Sequence, residues 1–188
     1  MTPDNRCLFG PIKTFLKDGR TVTIRALERS DGEALTAFYA GVPRSDFRFY
    51  CPHPLDREHA LANAATADSP TEIVLVIETT DHRIGGYAWL RWTTGSDRST
   101  FGICIHPDYQ NAGTGRIIMT RLLEIGRTLA PPVIQLTVQQ ANTRGVKLYT
   151  SMGFKVIREQ VRPKGFQPGL DAELEYAMER PARHDTNH

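Results

Sequence analysis

The 188-residue sequence predicts one α/β domain of seven strands and four helices in the order βααβββαβαββ. Three observations carry that reading. Short apolar runs separated by turn residues fill the stretch from residue 72 to residue 105. Two closely spaced glycines, Gly113 and Gly115, follow them, and a long segment of helical apolar periodicity begins there. With 40% apolar and 23% charged residues, the composition is that of a single globular domain.

Each element has its own local cause. "TVTIRAL" from Thr21 alternates as a half-buried strand does. Ser30-Asp31-Gly32-Glu33 has the S-x-x-E spacing of a capping box, so a helix should follow with Leu35, Phe38, Tyr39 and Val42 on one face. After the irregular "VPRSDFRFYCPHPL", a second short helix is expected near Asp56 to Ala67. "EIVLVIE" from Glu72 and "IGGYAWLRW" from Ile84 read as a hairpin around "TTDHR", with "STFGICIH" from Ser99 as a third antiparallel strand. The next helix places Ile118, Leu122, Ile125 and Leu129 on one buried stripe. "PPVIQLTVQ" then reads as a strand, "NTRGVKLYTSM" as a helix ended by Gly153, and "FKVIREQV" and "AELEYAM" as the last two strands. Residues 1–20 read as an N-terminal extension, 21–179 as the domain, and 180–188 ("RPARHDTNH"), polar and aperiodic, as a mobile tail.

Composition narrows the function classes. The balance of 23 Lys+Arg against 21 Asp+Glu, net +2, supports neither a nucleic-acid partner nor a membrane-surface one. Cys7, Cys51 and Cys104 are odd in number and lack CxxC or CxxH spacing, which argues against a disulfide framework and a structural zinc. The six histidines form no H-x-x-x-H or H-E-x-x-H pair, so no metal is expected. "MTPDNRCLFG" lacks the apolar core of a signal peptide, and no run approaches the roughly 18 residues that span a bilayer. A soluble, cytoplasmic protein is expected.

The glycine loop carries the chemistry. No Gly-Lys-Ser/Thr follows Gly115, so it is not a Walker loop; Ile118 stands where a dinucleotide fingerprint needs its third glycine. What remains is Gln110-x-x-Gly113-x-Gly115 between a strand and a helix. Bare amides and the positive helix end there suit a diphosphate, although a plain tight turn has the same spacing.

One strand later stands Asn142-x-Arg144-Gly145-x-x-Leu148-Tyr149-x-x-x-Gly153-Phe154. Together the two motifs resemble the GNAT superfamily of acyl-CoA-dependent N-acyltransferases, over about Thr21 to Met178. The resemblance implies a mixed, largely antiparallel sheet, acetyl-CoA as cosubstrate and a primary amine, on a small molecule or a protein lysine, as acceptor. It implies that the strand Ile103-Cys104-Ile105 splays from "IQLTV" and accepts the pantetheine arm. It places the diphosphate on the amides of Gln110, Asn111, Ala112, Gly113, Thr114, Gly115 and Arg116, and the pantetheine near Asn142. Tyr149 becomes the acid that protonates the departing thiolate; packing against Val146 and Met152 is its purely structural alternative. No metal enters, and a homodimer is left open.

The general base is the departure. Thr100 stands where several relatives carry a strand glutamate. Glu72, Asp97, His106, Glu173 and Glu175 are each expected to be solvated or structural, which leaves a water relay. Cys104 is expected to be a small buried thiol rather than an acyl carrier. Trp89 and Trp92 suit core packing and an acceptor-pocket wall equally. The opening residues also resemble bacterial protein-lysine acetyltransferases, and in this fold Phe47, Arg48, Phe49 and Tyr50 border the acceptor site. The alternative function is a non-catalytic acyl-CoA sensor; a nucleotide-binding protein fails for want of a Lys after the glycines.

Overall fold

A computed structural model describes residues 1–50, 52–162, 164 and 171–183. Its helices are α1 (Pro3–Leu8), α2 (Gly32–Ala40), α3 (Arg57–Ala65), α4 (Thr114–Leu129) and α5 (Thr143–Ser151). The strands are β1 (Ile12–Phe15), β2 (Thr21–Ala26), β3 (Glu72–Thr79), β4 (Ile84–Arg91), β5 (Arg98–Ile105), β6 (Val133–Gln139), β7 (Lys155–Arg162) and β8 (Glu173–Pro181). They form one sheet in the order β1-β2-β3-β4-β5-β6-β8-β7, antiparallel except for the parallel pair β5–β6.

All seven expected strands and four expected helices are present, and the N-terminal residues add one of each. Ile12–Phe15 pairs with β2, and Leu16 is buried in the main core. Four residues are too few for alternation to register as a pattern. At the other end Arg180 and Pro181 complete β8 and Ala182 is buried, so the polar tail is ordered further than its composition suggests. Residues 184–188 lie outside the described residues.

The sheet is covered on both sides, which explains why β3 reads as a continuous apolar run rather than an alternating one. On one face α4 buries Ile118, Leu122 and Ile125 completely, each contributing roughly 1.5–3 kcal/mol of transfer free energy. Leu129, at the end of that stripe, is only partly buried. On the other face Leu35, Phe38, Tyr39 and Val42 of α2 and the residues just beyond it pack against Val74, Val76, Tyr87 and Cys104.

The capping arrangement before α2 differs from the expected Ser30–Glu33 box. Asp31 accepts the Glu28 amide at 2.8 Å and both guanidinium nitrogens of Arg25 at 2.7 and 2.9 Å. The observed box is therefore Glu28–Asp31 around the 3₁₀ turn Arg29–Asp31, two residues earlier than expected, because an ionised carboxylate is a stronger acceptor than a serine hydroxyl, and α2 follows with no side-chain cap of its own. α5 follows its motif: the Asn142 side chain caps it and Gly153, at φ +88°, ends it.

Candidate active site

The parallel contact between β5 and β6 lasts three residues, from Arg98↔Val133 to Thr100↔Gln135, and then stops. Beyond it β5 stays paired with β4 as far as Ile105, while β6 turns its remaining residues toward β8. A gap opens between Phe101–Ile105 and Leu136–Gln139. Strand edges that part in this way leave backbone donors and acceptors for an extended ligand.

The glycine loop closes one end of the gap. Asn111 and Gly113 take left-handed conformations at φ +61° and +84°, and α4 begins immediately afterwards. The amides of Asn111, Ala112, Gly113, Thr114 and Gly115 donate to no acceptor among the described residues; the first helical bonds run from Arg116 and Ile117 to the Gly113 carbonyl. Five consecutive bare amides at the positive end of a 16-residue helix form an anion cradle. The loop is pinned from several sides. Thr114 Oγ1 donates to the Tyr109 carbonyl at 2.6 Å, and Gln110 Nε2 donates to the Ile105 carbonyl at 3.1 Å. Gln110 Oε1 accepts from Arg144 at 3.3 Å, and Arg116 donates to Ser151 Oγ at 2.8 Å.

The two glycines have different tasks. A side chain on Gly115 would meet Leu148 Cδ2 at 3.3 Å, so this glycine lets α4 lie close to α5 rather than opening space for a diphosphate. A side chain on Gly113 would meet the Lys17 stem at 3.3–3.5 Å. Lys17 comes from the β1–β2 turn, where its amide donates to the Ala112 carbonyl at 3.0 Å. No single-segment motif reveals this lysine, because it is placed by a hairpin almost 100 positions away. Asn142 is partly committed: its Oδ1 accepts from the Gly145 amide at 2.9 Å, leaving its Nδ2 for a ligand.

A cavity of about 250 Å³ lies at the gap, walled by residues of seven segments, among them Arg48, Tyr50, Trp89, Thr100, Tyr149 and Glu175. Phe49 also lines it; Phe47 does not, packing instead into the core on the α2 side, which corrects its place among the substrate contacts. The Tyr149 ring stands edge-on to Phe101 at 5.8 Å and tilted to Phe154 at 6.2 Å, and its hydroxyl has no hydrogen-bond partner among the described residues. Burial, reinforced by the Cys104 thiol, raises this phenol well above its ordinary value, so it keeps its proton at neutral pH. The ring packs in the core and the residue lines the cavity, so a packing role and a chemical one are compatible. Trp89 likewise serves both roles, filling the space left by Gly102, whose added Cβ would meet the indole at 2.4 Å, and donating to Tyr50 Oη at 3.1 Å.

Cys104 has its side chain on the opposite face, in the α2 core, where burial pushes the thiol up to about 12. A thiol held protonated is no nucleophile, and only its backbone remains at the gap. Of the acidic candidates, Asp97 is exposed and Glu72 is buried against Arg91 at 2.9 Å, away from the cavity. His106 accepts the Asp108 amide at 3.3 Å and is not part of the cavity wall. Glu173 binds Arg48 at 2.9 and 3.1 Å, tying the 3₁₀ turn Arg44–Arg48 to β8. Glu175 is the exception: it is neither solvated nor ion-paired among the described residues, and it lines the cavity.

Residues 21–155 match the family model described as an acetyltransferase (GNAT) domain. The chain belongs to the GNAT acetyltransferases. Among curated relatives of this GNAT chain, the [ribosomal protein bS18]-alanine N-acetyltransferase of Salmonella typhimurium is 29% identical over 76 residues, 40% of this chain and 51% of that protein. The chain thus spans about half the length of that relative. The L-methionine sulfoximine/L-methionine sulfone acetyltransferase of the same organism is 24% identical over 139 residues, 72% of this chain and 81% of that one. A Salmonella typhimurium acetyltransferase structure with acetyl-CoA superposes with a TM-score of 0.69 at 22% identity, covering 87% of this chain and 95% of the other. At that identity the likeness is one of fold. Among the described residues no helix is long and apolar enough to cross a membrane.

Proposed function

We propose that this chain is an N-acetyltransferase that moves an acetyl group from acetyl-CoA to a primary amine by direct attack. The observation that carries the reading is the run of five acceptor-free amides at the mouth of the β5–β6 gap. The residues fit the cosubstrate. The amides of Asn111 to Gly115 suit a diphosphate, with the Lys17 stem beside Gly113, and Gln110 and Arg116 bracing the loop. The free edge from Phe101 to Ile105, with Asn142 Nδ2, suits the amides of a pantetheine arm. Arg48, Phe49 and Tyr50 border the acceptor.

Acetyl-CoA supplies an activated acyl carbon and a thiol leaving group. Backbone amides of β5 near Ile103 to Ile105 polarise the carbonyl oxygen, and Tyr149 donates its proton to the departing sulfur. With thiols near pKa 8.5 and an ordinary tyrosine near 10, that transfer is uphill by at least about 2 kcal/mol, and the burial of Tyr149 adds to it. The phenolate recovers a proton from the newly acylated nitrogen, which is far more acidic than the free ammonium. Cys104, protonated and turned away, leaves direct attack as the route.

Two measurements test the proposal. Calorimetry with acetyl-CoA is expected to give saturable binding, and thiol release is expected with at least one member of a panel of L-methionine sulfone, an alanine-terminated peptide, an acetylatable lysine peptide and spermidine. Binding without release from any acceptor favours the sensor; no binding overturns both readings.

A further inference from the structure

We infer that Glu175 receives the ammonium of the acceptor and takes its proton, filling the role that Thr100 leaves vacant; this rests on the acetyl-transfer reading. Three acidic side chains are buried among the described residues: Asp31, Glu72 and Glu175. Asp31 is held by Arg25 at 2.7 Å and Glu72 by Arg91 at 2.9 Å. Glu175, 4% exposed, has no cation within ion-pair distance among the described residues. Its support is neutral: Gln160 Nε2 donates to its Oε1 at 2.6 Å. Burying a carboxylate without a counter-charge is costly, and a ligand that brings the positive charge removes the cost.

The position suits the task. β8 places Glu175 opposite Gln139 of β6 and Gln160 of β7, and its side chain shares the cavity wall with Thr100 of β5, Tyr149 of α5 and Trp89 of β4. The other charged and titratable groups around the cavity are Arg48, Tyr50, Tyr149, Arg162 and Glu173. Arg48 and Arg162 are both drawn to Glu173, which leaves Glu175 as the acidic group open to an incoming cation.

The proton balance closes. Glu175 takes one proton from the ammonium, and the freed nitrogen pair forms the N–C bond. The C–S bond breaks, its electron pair stays on sulfur, and sulfur takes the Tyr149 proton. The second nitrogen proton restores Tyr149, and Glu175 releases its proton to water once the amide leaves. Glutamate thereby acts on the acceptor before attack and tyrosine acts on the leaving group after it.

Glu175→Gln preserves shape and the acceptor oxygen for Gln160. With the best acceptor of the panel above, kcat/KM at pH 7 is expected to fall about 10²-fold, and the deficit to close as pH approaches the amine's own pKa, near 10.4 if it resembles lysine. Methoxyamine, already unprotonated at pH 7, is expected to react equally with both proteins. Calorimetric affinity for acetyl-CoA is expected to stay unchanged, and Glu175→Asp to retain the wild-type profile shape. Parallel pH profiles for wild type and Glu175→Gln, or an equal loss with methoxyamine, overturn the inference while acetyl transfer stands. Wild-type protein that releases no thiol with any amine removes the underlying reading instead.

Discussion

The two halves of the site are made of different materials. The proposed cosubstrate half is mainly backbone: a strand edge from Phe101 to Ile105 and the bare amides of Asn111 to Gly115, contiguous in sequence and shaped by left-handed residues. The proposed acceptor half is side chains, brought from Arg48, Trp89 and Glu175 by three different elements. A backbone site tolerates almost any sequence that preserves its conformation. A side-chain site changes its chemistry with each substitution. The first half therefore suits a ligand common to many enzymes, and the second suits the ligand that distinguishes them.

The comparison breaks most readily at Tyr149, the side chain proposed to act on the departing sulfur. Tyr149→Phe is expected to lower turnover by about 10²- to 10⁴-fold with acetyl-CoA affinity nearly intact. Steady-state kinetics beside calorimetry checks this; a variant at full rate would show that the sulfur leaves unaided. Gly113→Glu attacks the backbone half directly, forcing an L-residue to φ +84° and adding a negative charge beside the amide run. Acetyl-CoA affinity is expected to fall on the order of 10²-fold, and unchanged binding would remove the loop assignment.

Smaller effects sharpen the distinction. Gly115→Ala crowds Leu148, a flexible tip, and is expected to cost about 1 kcal/mol of folding stability in denaturant melts while leaving acetyl-CoA affinity within a factor of about two. A large loss of affinity would show that the diphosphate needs the open space at the Gly115 Cα as well as its amide. Lys17→Ala is expected to weaken acetyl-CoA by about 2- to 5-fold and to flatten the salt dependence of binding, since an exposed cation contributes modestly and through screened charge. Equal salt dependence in the two proteins would confine Lys17 to packing.

The smallest effect is pH-dependent. The Arg48 guanidinium holds the Glu173 carboxyl below its ordinary value, with Arg162 adding to the shift. A depressed carboxylate contributes fully above its unfolded value, and the contribution fades as pH falls through the folded one. The tie between the Arg44–Arg48 turn and β8 is thus present at neutral pH and is lost below the ordinary carboxylate range. Limited proteolysis of that turn from pH 7 downward is expected to accelerate only in acid, and Glu173→Gln to abolish the step.

The glycine loop and the Asn142–Phe154 helix were legible because each is a contiguous motif whose conformation is fixed by its own residues: left-handed glycines, an asparagine cap, a terminating Gly153. Phe47 packs on the α2 side while Arg48, Phe49 and Tyr50 line the cavity, because in an irregular loop only packing decides which side each residue takes. The β1 strand escaped notice because an edge of four residues has too little periodicity to read. Glu175 was visible only as one of several acids on strands, since solvation and burial leave the same letter in the sequence.

What the sequence by itself determined is the order of the main strands and helices and the backbone half of the site, since periodicity and local conformational preference act over a few neighbouring residues. Only the tertiary structure decided that β5 and β6 part after Thr100, that Lys17 lies over Gly113, and that an uncompensated Glu175 faces the same cavity as Tyr149. Those facts depend on which segments meet across the sheet. That choice is made by burial summed over the whole core, and it fixes the environment, and hence the chemistry, of each side chain.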